Sequence, residues 1–334
     1  MPDRNKAELG ALIALFSGAL SIGGASILVR LSQTGPTATA FWRGCLALPL
    51  LGLWALFEPR SARVSAPTPA MQALGMRWVT RGVLILSSFR DPRFLWAGLF
   101  FAADLALWNR SLLLTSVAAS TLEANLAPLF VTLIVWVAWR ERPSGRYLVA
   151  TAFALAGMLL IVSPKFGQGG AAFTGDALGL GAAVFFAAYI LAVSVLRTRY
   201  GTGIVMFNST LVFTAALVPL ALAQKFVPDT LSGWATVAGC AFAAQVFGQG
   251  LIAYALAHLR PTFGSLGLLV QTLGAATAGW LVLGERLSPI QIIGALVIVG
   301  AIALARSAGQ AAKPGPDPQA AGPVPVESLG VLRD

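Results

Sequence analysis

Three ionisable side chains, Arg43, Asp104 and Glu123, stand inside long apolar runs of this sequence. A charge at membrane depth costs about 2.5–3.5 kcal/mol on insertion scales, so it marks a binding site, a proton relay or a tie between helices. Arg43 lies seven residues past Pro36, where its run opens, and Glu123 lies seven past Ser116. At a rise of about 1.5 Å per residue, both sit roughly 10 Å inside the same face. Equal depth and opposite sign predict an ion pair. That pair would bind a zwitterionic substrate or release a proton during transport, or else simply lock the second and fourth helices together. Asp104 is near the centre of its run. A lone carboxyl there could carry a proton across a gradient; the alternative is a hydrogen bond between packed helices.

Uncharged polar groups fill out the candidate set. Gln245 and Gln249 are four residues apart and share a helix face. Gln271 is central in its run, Asn125 follows Glu123 by two positions and points elsewhere, and Trp108 and Tyr189 offer aromatic surfaces. Each could hydrogen-bond or stack on a substrate, or serve ordinary helix packing. Other chemistry is poorly supplied. Cys45 and Cys240 lie in separate apolar runs, so they read as small buried side chains, not as a disulfide or metal pair. The single His258 rules out a multi-histidine site and reads as an interface residue. No metal or cofactor is expected, and no phosphate-binding loop or dinucleotide fingerprint is found, so ATP hydrolysis has no basis here.

The elements that must hold these groups follow from composition. Hydrophobic residues make up 57% of the chain and charged residues 11%, against about 25% charged in soluble domains, so water cannot be the main solvent. Apolar runs at about 9–29, 36–57, 94–114, 116–138, 146–163, 177–196, 203–223, 233–256, 262–283 and 288–305 are near the ~20 residues that cross a bilayer. They lack the alternation of barrel strands, and backbone in hydrocarbon must bond internally, so they are expected to be helices. The first run is too long for a secretory h-region and reads as a retained helix. The formal charge of +10 does not imply nucleic-acid binding, because no basic soluble domain carries it.

The cations instead set orientation. With the N-terminus inside, cytoplasmic segments hold Arg4 and Lys6; Arg60, Arg63, Arg77, Arg81, Arg90 and Arg93; Arg140, Arg142 and Arg146; Arg197 and Arg199; Arg260; and Arg306, Lys313 and Arg333. Outside segments hold only Arg30, Arg110, Lys165, Lys225 and Arg286. Both termini are therefore expected in the cytoplasm. In the long basic loop 58–93, residues 70–89 read as a surface-lying amphipathic helix, with an eleventh span as the alternative. The Pro-, Gly- and Ala-rich tail 307–334 is expected to be disordered. Gly10, Ala14 and Gly18, and likewise Cys240, Ala244 and Gly248, recur every four positions, a spacing that lets helices approach closely. Pro128 and Pro219 are candidate bending points.

The halves resemble each other. Trp139-Arg140-Glu141-Arg142-Pro143-Ser144 closes the fourth run as Leu283-Gly284-Glu285-Arg286-Leu287-Ser288 closes the ninth. Gly10 to Phe16 is similar to Gly179 to Phe185, and Thr34-Gly35 is similar to Thr202-Gly203. Five spans per copy is an odd number, so the copies would lie in opposite orientations, as in many secondary transporters. The expected fold is an all-α integral membrane protein of ten transmembrane helices in two inverted five-helix repeats, 7–163 and 175–306.

Phe41-Trp42-Arg43, Ala127-Pro128-Leu129-Phe130 and Gly284-Glu285-Arg286-Leu287-Ser288 carry a resemblance to the drug/metabolite transporter superfamily, EamA branch, over about residues 7–306. Trp139-Arg140-Glu141 departs from the usual Leu-Gly-Glu form, and the long basic loop is atypical. The resemblance implies a cavity lined by helices 1, 3, 4, 6, 8 and 9, with helices 5 and 10 standing apart and available to form a homodimer. It implies an exporter of a small polar or amphipathic, amino-acid-like metabolite; the expected location is the bacterial inner membrane, with membrane lipids as partners and, if the buried carboxyls couple transport to a gradient, protons. An uncoupled facilitator and an intramembrane enzyme acting on lipid-linked substrates are the alternatives.

Overall fold

The computed structural model describes residues 2–58, 88, 90–114, 123–162, 173–284 and 288–310, and the described residues form helices and their connections with no β-strand element. In chain order they are α1 (Pro2–Leu31), α2 (Pro36–Phe57), α3 (Pro92–Leu114), α4 (Ala127–Trp139), α5 (Gly145–Val162), α6 (Phe173–Leu196) and α7 (Thr202–Leu222). Next, α8 runs from Leu231 to Ala255, and α9 comprises Pro261–Gly267 and Val270–Leu283. Finally, α10 is Pro289–Ala305, extended by a π turn Arg306–Gln310. Among the described residues, seven helices (α1, α2 and α6 to α10) are long and apolar enough to cross a bilayer, while α4 and α5 are apolar but shorter. The surface-helix expectation for 70–89 and the Glu285–Leu287 part of the repeat landmark fall outside the described residues. The chain stays helical to Gln310, past the point where the tail was expected to begin.

Local chemistry explains the boundaries. Pro36, Pro261 and Pro289 open helices where a missing N–H costs nothing. Pro128 sits in the first turn of α4, where its missing N–H adjoins the interruption at Asn125–Leu126, whereas Pro219 lies inside α7. Ser144 and Ser288 cap α5 and α10 through their hydroxyls. Both α4 and α9 end on a left-handed residue, Arg140 (φ 56°) and Gly284 (φ 67°).

The helices pair tightly wherever side chains are small. A methyl on Gly157 of α5 would lie 2.7 Å from the Gly294 carbonyl of α10, and one on Gly294 would lie 2.5 Å from the Gly157 carbonyl. This pair stands at the edge of the bundle with Phe153, Ile293, Leu296 and Val299 facing outward. Of the two small-residue spacings, Gly18 meets Gly248 where α1 crosses α8, whereas a methyl on Gly10 would meet open space. Elsewhere α2 runs antiparallel along α7, and α3 along α6. Arg306 forms an ion pair with Glu8 at 3.7 Å, so the start of α1 and the end of α10 share one end of the bundle.

Two helices are interrupted. A turn at Asn125–Leu126 precedes α4, and another at Leu268–Leu269 divides α9. Each carries the same tight bonds, Leu126 N–H to Glu123 O and Leu129 N–H to Leu126 O in one, Leu269 N–H to Leu266 O and Thr272 N–H to Leu269 O in the other. In α8, residues Ala241–Gln249 form a π segment between two α segments. Such wide turns recur at functional sites.

Candidate functional site

The polar candidates gather into two clusters. The first is built where α2, α3, α6, α7 and α8 converge. Arg43 lies within electrostatic reach of Asp104, Tyr189 and Cys240. Its guanidinium stands over the Phe101 ring, 5.5 Å from the centroid, and Phe101 stacks on Tyr189 at 4.4 Å. Bare Gly44 leaves room for the Thr214 hydroxyl beside Arg43. One turn back on α7, Thr210 accepts a 2.9 Å bond from Gln245 Nε2 in the π segment of α8.

The unfilled valences of this cluster are its main chemical feature. Arg43 Nε and Nη2, Thr214 Oγ1 and Gln245 Oε1 are all buried without a hydrogen-bond partner. Buried polar atoms are nearly always paired, and each orphan costs about 1–3 kcal/mol. Nε and Nη2 lie on one edge of the guanidinium fork, the edge that grips a carboxylate with two parallel bonds. Asp104 lies within electrostatic reach of the guanidinium without a direct ion pair.

The second cluster sits at the turn before α4. Asn125 Oδ1 accepts from Gln271 Nε2 at 2.8 Å, joining the interrupted α4 to the interrupted α9. The Gln271 backbone packs on Gly23 of α1, where a methyl would fall 2.0 Å from its carbonyl. Glu123 leans on α6, and its carboxyl meets that of Asp176. Glu123 Oε2 occupies the space over bare Gly179, with the buried Ser111 hydroxyl beside it. Neither Glu123 Oε2 nor Ser111 Oγ has a partner.

The expected Arg43–Glu123 pair is therefore absent. Arg43 stands beside Phe101 and Tyr189, whereas Glu123 lies beside Ser111 and Gly179, ten residues further along α3 and ten back along α6; α4 packs on α6 and α9, while α2 packs on α7 and α8. Asp104 stands nearest in role to the partner Arg43 was expected to have. The Arg43 cluster also draws on α2 and α7, beyond the helices the family resemblance assigned to the cavity. Gln249 is buried one turn beyond Gln245, and Trp108 is half-buried and joins neither cluster by a hydrogen bond among the described residues. Asp176, Ser111, Thr210 and Thr214 were missed from the sequence. Asp176 was placed just before its helix, and hydroxyls inside apolar helices are too common to single out. His258 lies at the end of the bundle, bonded to the Tyr254 carbonyl at 3.1 Å. An apolar groove of about 310 Å³ opens away from both clusters, between α3, α4 and α6, lined by residues such as Arg93, Trp96, Phe100, Trp139 and Leu191. Its walls suit lipid tails and not a polar solute.

Comparison with known proteins adds three findings. Residues 173–307 match the model of the EamA-like transporter family. The pseudopaline exporter CntI of Pseudomonas aeruginosa, in strains UCBPP-PA14 and PAO1, is 27% identical over 255 residues, covering 73% of this chain and 88% of the relative. A crystal structure of a protein 17% identical to the chain superposes with a TM-score of 0.64, covering 92% of this chain and 98% of the other, and so shares the fold.

Proposed function

From the match of residues 173–307 to the EamA-like transporter family, we propose that the chain is a member of that family and a secondary transporter that exports a small, amino-acid-like metabolite across the bacterial inner membrane. Two oppositely oriented five-helix halves rock about a polar centre, and both termini stay in the cytoplasm. The observation that carries this reading is the buried, unpartnered Nε/Nη2 edge of Arg43 with Asp104 close by. A fork of that kind selects a carboxylate, an anion opposite it selects an ammonium group, and the stacked Phe101 and Tyr189 rings suit an amphipathic side chain.

The test is flux in proteoliposomes with a panel of radiolabelled amino acids, amines and nucleobases under two pH gradients. Substrate-dependent flux of a carboxylate-bearing member is expected, and its loss in Arg43→Lys, which keeps the charge but not the fork, would place the carboxylate on Arg43. Proton exchange is the favoured coupling. Asp104→Asn should then abolish the pH dependence of transport, and Glu123→Gln should stop transport while leaving folded protein. Flux indifferent to the imposed gradient in the unmodified protein would make it an uncoupled facilitator. No flux with any solute would remove the transport reading.

A further inference from the structure

The two ends of the α2–α7 pair are closed by the same device. At one end Gln224, two residues past α7, sends Oε1 to the Thr37 N–H at 3.0 Å, at the start of α2. At the other end Glu58, just past α2, takes the Thr202 N–H on Oε1 at 2.7 Å and the Gly203 N–H on Oε2 at 2.8 Å, at the start of α7. Gly35, Thr37 and Glu58 precede Gly201, Gly203 and Gln224 by 166 residues each. Gly35 and Gly201 adopt nearly the same extended backbone, φ −61° and −64°. A methyl on Gly35 would lie 2.3 Å from Gln224 Oε1, and one on Gly201 would lie 2.3 Å from Glu58 Oε2. Each glycine is bare because the capping oxygen of the other helix occupies the place of its Cβ.

The chemistry of the two caps differs for a local reason. Thr202 and Gly203 offer two N–H groups, which the two oxygens of a carboxylate satisfy together. At the matching position Pro36 has no N–H, so one amide oxygen is enough, and Gln224 Nε2 turns to the Thr37 hydroxyl at 3.2 Å. The carboxylate cap also lies within electrostatic reach of Arg197, whose Nε donates to the Ala253 carbonyl of α8 at 3.0 Å. Arg197 is just past α6; burial pushes its guanidinium below the ordinary range, and the Glu58 charge pulls it back. One end is thus held by charge and the other by neutral bonds. Between them lies the Arg43 cluster.

We propose that Glu58 and Gln224 are gate-positioning residues, each latching one end of the α2–α7 pair, so that release of one latch opens the Arg43 cluster to that side while the other acts as pivot. This rests on the transport reading above for its purpose but not for its test. Cys240 lies in reach of Arg43 and is one of two cysteines, so in a Cys45→Ala background its thiol reports access to the cluster. A membrane-impermeant, cationic methanethiosulfonate is applied to cells and to inverted vesicles, with no solute present. Glu58→Ala should speed modification about tenfold or more from the side that carries Glu58, and Gln224→Ala should do so from the opposite side only. Glu58→Gln, which keeps one carbonyl, should give an intermediate rate, and Gly201→Ala, which displaces the carboxylate, should resemble Glu58→Ala. Acceleration from both sides in any one variant would mean general loosening and overturn the proposal, as would unchanged rates with either latch removed. If Glu58→Ala does not yield a single species in detergent, Glu58→Gln and Gly201→Ala decide. Absence of flux would sink the transport reading and leave these rates standing.

Discussion

Arg140 holds a backbone conformation that its homologous position gives to glycine. Arg140 and Gly284 end α4 and α9, 144 residues apart, both with φ near 60°. A side chain in this region costs about 1–2 kcal/mol, part of which glycine returns through the entropy of the unfolded chain. Arg140→Gly is therefore expected to raise stability by about 0.5–1 kcal/mol, read as a higher melting temperature in detergent. A lower melting temperature would show that the Arg140 side chain makes a contact worth more than the strain. At this scale the sequence was informative about which residues matter and poor about whom they meet. Arg43, Asp104 and Glu123 declare themselves because charge is rare in apolar runs. Counting residues from the end of a run fixes neither the level of a side chain against its neighbours nor the direction it faces around the bundle, so the Arg43–Glu123 pair read from the sequence does not form. Glu58 gave no signal at all, because its cap acts on N–H groups 144 and 145 residues away.

Helices were legible where apolar length alone defines them, and their irregularities were not. The limits of α2, α7 and α10 fall within a residue of those expected from hydropathy. The π segment of α8 and the turn in α9 have no sequence mark, since Gln245 and Leu268 sit in runs that would suit a plain helix. Small residues were a better guide. The α5–α10 crossing depends on Gly157 and Gly294, each lying under the other's carbonyl. Gly294→Leu should force α10 off α5 and destabilise the protein by about 1–3 kcal/mol, measured by thermal unfolding in detergent. Because this pair lies at the edge, away from Arg43, the exchange of bound solute should survive the substitution. An unchanged melting temperature would mean that the two helices separate at no cost. We also propose that the outward apolar faces of α5 and α10 form the dimer contact, and cysteines placed at Leu296 should then cross-link between copies.

Several local geometries recur along the molecule. The caps of α2 and α7 recur after 166 residues, the tight turns of α4 and α9 after 143, and the serine caps of α5 and α10 after 144. These spacings support two copies of one unit, and the antiparallel run of α2 along α7 supports opposite orientations. The landmark around Glu141 and Glu285 is the sequence feature from which a duplication is inferred. The pairing of Thr34-Gly35 with Thr202-Gly203 was two residues out of register, because glycine alone does not reveal which position is the cap. If the copies are inverted with both termini inside, Lys165 and Arg142 must face opposite sides. An impermeant amine or guanidine label, applied to intact cells, should reach Lys165 and spare Arg142. Labelling of both from one face would break the architecture.

The difference between those intervals has a further consequence. Between the cap of α2 and the start of α5, the first half spends 22 more residues than the second half needs for the same plan (166 against 144). Eight residues, Ala223–Thr230, join α7 to α8, whereas thirty-four, from Glu58 to Asp91, join α2 to α3. By length alone the surplus reads as an insertion relative to the second half. Pruning residues 60–81 would bring the two halves to equal length and remove four arginines, Arg60, Arg63, Arg77 and Arg81. The shortened chain should insert, melt and carry solute as the parent does, while losing whatever attraction those cations exert on anionic lipid.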